Sequence, residues 1–309
     1  MAYRIGVDMG GTSIKAGVVD ENFRIISSLE RPTGSTFEQV VADMAECAKA
    51  AAASVGQDIA AFPGVGVGTP SCINPNTGRL VFSNNTNWRD VPLREELEKH
   101  LPVPVWCGND ANCAVIGEAL AGAAKGCDNV LMITLGTGVG GGLIFGGKLF
   151  VGGDGMGGEL GHTPLITGGV PCTCGVAGCL EAYASVTGLI REAKEALAEN
   201  PQSLLGKETL TGRYIVDCAR AGDPTAVQVF DQYTGYVANG LGGMITVFRP
   251  EIVLIGGGLS GAGDFLLDPI NEKLPKFVFS SDIIGVPPVV TAALGNSAGT
   301  IGAAYLDRM

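Results

Sequence analysis

Apolar positions divide the chain into short runs that predict strands and longer stretches of 3.6-residue period that predict helices, with glycine turns between them. Residues 3–7 form a strand-length run, followed by the turn Asp8-Met9-Gly10-Gly11-Thr12, a returning run over 16–19 and a third over 24–29. A long helix is predicted next. Ser35 and Thr36 stand in capping-box register with Glu38 and Gln39, apolar residues Val40, Val41, Met44, Ala48 and Ala51 share a face, and Gly56 ends it. Residues 63–69 alternate glycine with valine, as in a buried strand that ends in a binding loop. A polar loop over 83–88 and a short helix over 91–100 follow. A strand over 103–107 then delivers Gly108-Asn109-Asp110 to a helix over 111–124.

The succession starts again at Asn129. Residues 129–135 read as a strand, the turn Gly136-Thr137-Gly138 continues into Gly140, Gly141 and Gly142, 143–146 return, and 148–151 make a third run. Such a repeat predicts two similar lobes. Helices are expected over 182–199, 209–221 and 225–248, with a loop at 201–207. A strand at 252–255 feeds Gly256-Gly257-Gly258. A helix over 265–274, a strand over 289–293 and a terminal helix over 297–308, expected to return to the first lobe, complete the chain. The window 130–147 is long and uncharged enough to suggest a membrane span, but its seven glycines and β-branched flanks favour two strands and a turn.

Composition narrows the class. A chain of 309 residues suits two domains, and 46% hydrophobic with 17% charged residues predicts a large core and excludes disorder. The net charge of −11 argues against a nucleic-acid surface. Forty-eight glycines, about twice the usual share, signal many tight turns. The first residues lead directly into a strand-like run without a leader pattern, so a soluble cytoplasmic protein is expected. Cys47, Cys72, Cys107, Cys113, Cys127 and Cys218 have no ligand spacing and read as reduced thiols.

Three groups carry chemistry. Asp8-x-Gly10-Gly11-Thr12 and Gly136-Thr137-Gly138 occupy equivalent places in the two halves, and turns of this kind gather backbone N–H groups around phosphate oxygens. Neither is a Walker A motif, because Gly-Lys-Ser/Thr does not follow. Asp8 is placed to hold Mg²⁺ or to close its own turn, and Lys15 to meet phosphate or solvent. Asp110 ends a buried strand, where α/β proteins place ligands; it is a candidate base or merely a helix cap. His162, Cys172, Cys174 and Cys179 offer the donor set of a closed zinc site, with buried thiols or a disulfide as the alternative.

The run CTCGVAGCLEAYAS, with GELGH upstream, closely resembles the signature of the ROK family of sugar kinases and sugar-responsive repressors. The resemblance covers essentially the whole chain. It implies the two-lobed actin-like ATPase (ribonuclease H-like) α/β fold, with a duplicated β-β-β-α-β-α core and a cleft between the lobes. The lobes expected are 1–108 plus 297–309, and 109–296 with the zinc motif and the nucleotide-base loop. It further implies structural Zn²⁺ on His162, Cys172, Cys174 and Cys179, and ATP with Mg²⁺ held by Asp8, Gly10, Gly11, Thr12, Gly136, Thr137, Gly138, Gly256, Gly257 and Gly258. Asp110 matches the family's catalytic aspartate. Asn85 (with Asn84 beside it), Asn109, Glu159, His162 and Glu181 match its sugar contacts, and Gly68 and Thr69 border the same site. The expected reaction is transfer to the 6-hydroxyl of glucose, with N-acetylmannosamine, N-acetylglucosamine, allose or fructose as other substrates and polyphosphate as another donor. A homodimer or homotetramer is typical of the family. Family repressors carry a helix-turn-helix before the first phosphate loop, and Asp8 leaves no room for one, so DNA is not an expected partner.

Overall fold

The computed structural model describes residues 3–83 and 86–308. The chain opens with β1 (Arg4–Met9), β2 (Ser13–Val19), β3 (Ile25–Pro32), α1 (Phe37–Ser54) and β4 (Val65–Thr69). A small antiparallel sheet of β5 (Cys72–Asn74), β6 (Arg79–Phe82) and β7 (Arg89–Val91) follows, then α2 (Leu93–His100), β8 (Val105–Asn109) and α3 (Asp110–Ala121). The second half begins with β9 (Val130–Leu135), β10 (Val139–Phe145) and β11 (Lys148–Leu149). It continues through α4 (Glu181–Ala184), α5 (Val186–Glu199), α6 (Gly212–Arg220) and α7 (Pro224–Phe248). Last come β12 (Ile252–Gly256), α8 (Asp264–Lys273), α9 (Ser281–Ile284), β13 (Val289–Thr291) and α10 (Ala298–Ala303).

The two five-stranded sheets share one order. They run β3-β2-β1-β4-β8 and β11-β10-β9-β12-β13, so the third, second, first, fourth and fifth strands of each sheet, counted along the chain, lie side by side. β1–β2 and β10–β11 are antiparallel, while β1–β4, β4–β8 and β12–β13 are parallel. This is the duplicated α/β architecture of the actin-like fold.

By packing, the chain forms two compact units. One comprises Met1–Val130, Gly142–Gly158 and Ala293–Met309; the other comprises Leu131–Gly141 and Glu159–Ala292. In the first, α1 lays Val40, Val41, Met44, Ala48 and Ala51 on Ile5, Val7, Ile14, Ala16 and Val18. Thr36 caps α1 by accepting the Gln39 N–H at 3.2 Å, the register expected from the sequence. The terminal helix α10 returns to this unit and lies directly on backbone. A Cβ at Gly66 would stand 1.7 Å from the Ala303 carbonyl oxygen, and one at Gly302 1.7 Å from that of Cys113. That contact keeps α3 with the first unit, so packing divides the chain after Val130 rather than at Gly108. In the second unit, Leu131, Ile133, Val253, Leu254 and Ile255 of the strands and Leu189, Ile215, Tyr233 and Leu241 of the helices are all buried.

Several boundaries differ from the sequence reading. β2 starts at Ser13 rather than at 16, because Ile14 and Lys15 already pair with Met9 and Asp8. β10 starts at Val139, so Gly140, Gly141 and Gly142 lie inside a strand; Val115 presses on Gly142 where a side chain would be. The helix expected over 182–199 is two, broken at Ser185, whose hydroxyl caps α5 by accepting the Gly188 N–H at 3.0 Å. The terminal helix is shorter than 297–308, with α10 followed by a 3₁₀ turn over Leu306–Arg308. The window 130–147 forms β9 and β10, and no described helix is long and apolar enough to cross a membrane.

Candidate active site and metal centre

In the first unit three parallel strands end in register. Asp8, Gly68 and Gly108 form one row across β1, β4 and β8, and Thr69 faces Asn109 one step further on. Asp110 then opens α3. The helix cap belongs to Asn109: its Oδ1 accepts the N–H groups of Ala111 at 2.8 Å and Asn112 at 3.1 Å, and its Nδ2 donates to the Ser71 carbonyl at 3.3 Å. The alternative of Asp110 as the cap is thereby corrected. Asp110 Oδ1 shares the Ala111 N–H with it, at 2.8 Å.

Both carboxyls are held above their ordinary range. Burial and the neighbouring Asp110 charge push Asp8 up to about 6 against the pull of Lys15, its partner across β1–β2. Burial raises Asp110, opposed by the backbone N–H groups of Ala111 and Asp110 itself. Lys15 also approaches Glu30 at 3.9 Å, and this links it to β3. The adjoining turn is rigid at its base and exposed at its tip. Gly10 N–H donates to Ser13 O at 2.8 Å and Thr33 Oγ1 to Gly10 O at 2.9 Å, while Gly11 and Thr12 face solvent.

In the second unit the turn Gly136-Thr137-Gly138 closes on itself, Gly136 N–H donating to Gly138 O at 3.0 Å. The segment after the cysteines fastens it. Val186 N–H donates to Gly136 O at 2.8 Å, Thr187 Oγ1 to Thr137 O at 2.7 Å, and Val139 N–H to Glu181 Oε2 at 3.0 Å. Sequence reasoning missed Val186 and Thr187 because it ran one helix through Ser185; the Ser185–Gly188 cap spacing is the signal that could have found them. The triple glycine at the end of β12 lies beside the same turn. Gly257, at φ 82°, packs so closely on Leu135 that a Cβ would stand 2.5 Å from its backbone nitrogen.

The four expected metal donors come together. The ligand atoms of His162, Cys172, Cys174 and Cys179 all lie within 4.8 Å of one another, with Cys174 and Cys179 Sγ 3.6 Å apart and Cys172 Sγ 3.5 Å from His162 Nδ1. Zn–S bonds of about 2.3 Å in a tetrahedron give S···S edges of about 3.8 Å, so the set fits zinc. None of the nine cysteines is in a disulfide. Tight local turns build the clip: Gly175 and Gly178 have φ of 92° and 89°, and Cys172 N–H donates to Val176 O at 2.9 Å. Burial and the neighbouring thiols push Cys179 up to about 12. Cys174, despite burial that opposes it, is lowered by hydrogen bonds with the Val176 backbone, Cys172 and Cys179. Glu159 and His162 share one 3₁₀ turn, His162 N–H donating to Glu159 O at 3.0 Å.

The expected site residues thus form two sets. Asp8, Gly10, Gly11, Thr12, Gly68, Thr69, Asn109 and Asp110 lie in the first unit; Gly136–Gly138, Glu159, His162, the cysteines, Glu181 and Gly256–Gly258 lie in the second. Asn85 and Asn84 fall outside the described residues.

Known proteins share this arrangement. A glucokinase of Streptomyces coelicolor is 40% identical over 316 residues, 100% of this chain and 98% of that protein. A glucokinase of Thermotoga maritima is 39% identical over 312 residues, 98% of this chain and 96% of that one. The crystal structure of a ROK family glucokinase from Streptomyces griseus in complex with glucose and AMPPNP superposes with a TM-score of 0.85 at 38% identity, covering 99% of each chain. The ROK family model matches residues 4–309, and the chain belongs to the ROK family.

Proposed function

We propose that the protein is a hexokinase of glucokinase type, transferring the terminal phosphoryl group of ATP to the 6-hydroxyl of glucose. The observation that carries the catalytic part is Asp110: a half-buried carboxylate at the end of parallel strands, relieved of helix capping by Asn109. Full-length similarity to glucokinases supports the substrate and the nucleotide.

Phosphoryl transfer to a sugar needs a base that orients the attacking hydroxyl and accepts its proton. Asp110 fills that role, with Oδ2 toward the hydroxyl while Oδ1 stays on the Ala111 N–H. A raised pKa suits it, because a carboxylate nearer neutrality is the stronger base. Asp8 would hold Mg²⁺ directly or through water. Its carboxylate is a hard oxygen donor; burial first and the Asp110 charge second raise its pKa, and a cation relieves that charge repulsion. The bound ion supplies neutralisation of phosphate charge. The turns at Gly10–Thr12 and Gly136–Gly138 are each of a kind that binds phosphate oxygens through backbone N–H groups, and Gly256–Gly258 is the candidate loop for the nucleotide base.

By the family resemblance, Glu159, His162, Glu181, Asn109 and Asn85 are the candidate residues for sugar hydroxyls. His162 turns Nδ1 to the sulfurs, which leaves Nε2 as its sugar-facing donor. Zinc on His162, Cys172, Cys174 and Cys179 fixes that ring and takes no part in transfer. The enzyme acts in the cytoplasm as a homodimer or homotetramer. A coupled assay across a panel of hexoses, with ATP and polyphosphate as donors, tests this reading. Glucose with ATP should give the highest kcat/KM, and faster turnover of N-acetylmannosamine would overturn the substrate assignment while leaving the kinase standing.

A further inference from the structure

Glu181 is matched by family resemblance to sugar, yet both of its carboxylate oxygens are engaged within the second unit. Oε2 accepts the Val139 N–H at 3.0 Å, at the exit of the second glycine turn. Oε1 faces the metal clip, 3.5 Å from Cys172 Sγ and 3.4 Å from Thr173 Oγ1. One carboxylate therefore spans from the clip to the turn. Glu181 is also the first residue of α4, and the next few residues supply the two other fasteners, Val186 N–H on Gly136 O and Thr187 Oγ1 on Thr137 O.

From this we infer that Glu181 is a positioning residue through which the Cys₃His cluster sets the shape of the phosphate-binding turn, so that metal occupancy controls nucleotide affinity as well as sugar contacts. The inference rests on the reading of Gly136–Gly138 as a phosphate turn. Its physical basis is a short, stiff path. Thr173 lies between two ligands, Cys172 and Cys174, and cannot move independently of them once they are fixed. The Thr173 hydroxyl, 3.4 Å from Oε1, is the donor that links the clip to the carboxylate. The remaining oxygen then holds the Val139 N–H in place. With the donors unbound, the clip is held by its backbone hydrogen bonds alone, and the carboxylate loses the anchor that metal bonds would fix.

The experiment measures the Kd of AMPPNP by calorimetry, without sugar, on the zinc-loaded protein, after chelation, and after zinc is restored. Chelation should weaken binding about fivefold or more and zinc should restore it, the scale of one hydrogen bond lost from a preformed site. Thr173→Val in zinc-loaded protein should weaken binding about threefold or more, and Thr173→Ser should stay within about twofold of the parent. Thr173 is exposed, so these variants keep the fold. Glu181→Ala should bind weakly whether or not zinc is present, because the connection is already cut. The inference is overturned if chelation and Thr173→Val both leave AMPPNP affinity within about twofold, or if chelation weakens Glu181→Ala as much as the parent. Failure of the zinc-loaded parent to bind AMPPNP at all would overturn the kinase reading, and this inference with it.

Discussion

At Asn109-Asp110 the backbone decides which side chain is available for chemistry. Asn109 caps α3 with two accepted hydrogen bonds, and Asn109→Ala should cost about 1–2 kcal/mol in denaturant unfolding. Asp110→Asn removes a proton acceptor without removing the cap. It should melt near the parent temperature and bind glucose measurably, with turnover lower by about two to four orders of magnitude. Asp8 makes an opposite prediction for stability. Its folded-state value of about 6 exceeds the ordinary 3.8, so its contribution is most favourable below 3.8 and is lost as pH rises through about 6. In ligand-free protein, Asp8→Asn should therefore be the more stable form at pH 8, by up to about 3 kcal/mol. The advantage should shrink as the pH falls through about 6. A difference that is constant from pH 4 to pH 8 would show that the Asp8 charge is not the cause.

Elements carry a second level of constraint, seen best in α3 and in the cysteine clip. Glu118 is fully buried on α3 and accepts the N–H groups of Ala123 at 2.8 Å, Ala293 at 3.0 Å and Leu294 at 2.7 Å. It ties α3 to the segment where the chain re-enters the first unit. Glu118→Ala leaves three donors without their acceptor and should destabilise the protein by at least about 3 kcal/mol in chemical denaturation. Zinc analysis should find one ion per chain, and Cys174→Ser should retain it less well. The helices at 37–54 and 224–248 are legible in the sequence because of their long apolar periods, and the cap at Thr36 marks the first; the cap of the second, Asp223, lies just before the start at 225 expected from the sequence. The clip is legible too, since its four donors lie within eighteen residues of chain. The sheet β5-β6-β7 and α9 are not: three or four residues are too few for a period to show. Glu118 had a signal, a lone acid in the apolar run AVIGEALAG, but its partners at 293–294 are far away in sequence.

The whole molecule is a duplication, and the repeated strand order follows from it. The sequence shows the repeat because each half opens with the same strand, glycine turn, strand and strand. What it does not show is how α10 returns to close the first unit, since that depends on backbone contacts at Gly66 and Gly302 rather than on any side-chain pattern. The proposed reaction is transfer from ATP to the 6-hydroxyl of glucose with Asp110 as base. The most direct test is ³¹P and ¹³C NMR of purified protein with glucose, ATP and Mg²⁺, run beside Asp110→Asn on the same preparation. The parent should yield glucose 6-phosphate and ADP in equal amounts, and the variant almost none. Phosphate on another carbon, ADP without sugar phosphate, or undiminished product from Asp110→Asn would contradict it.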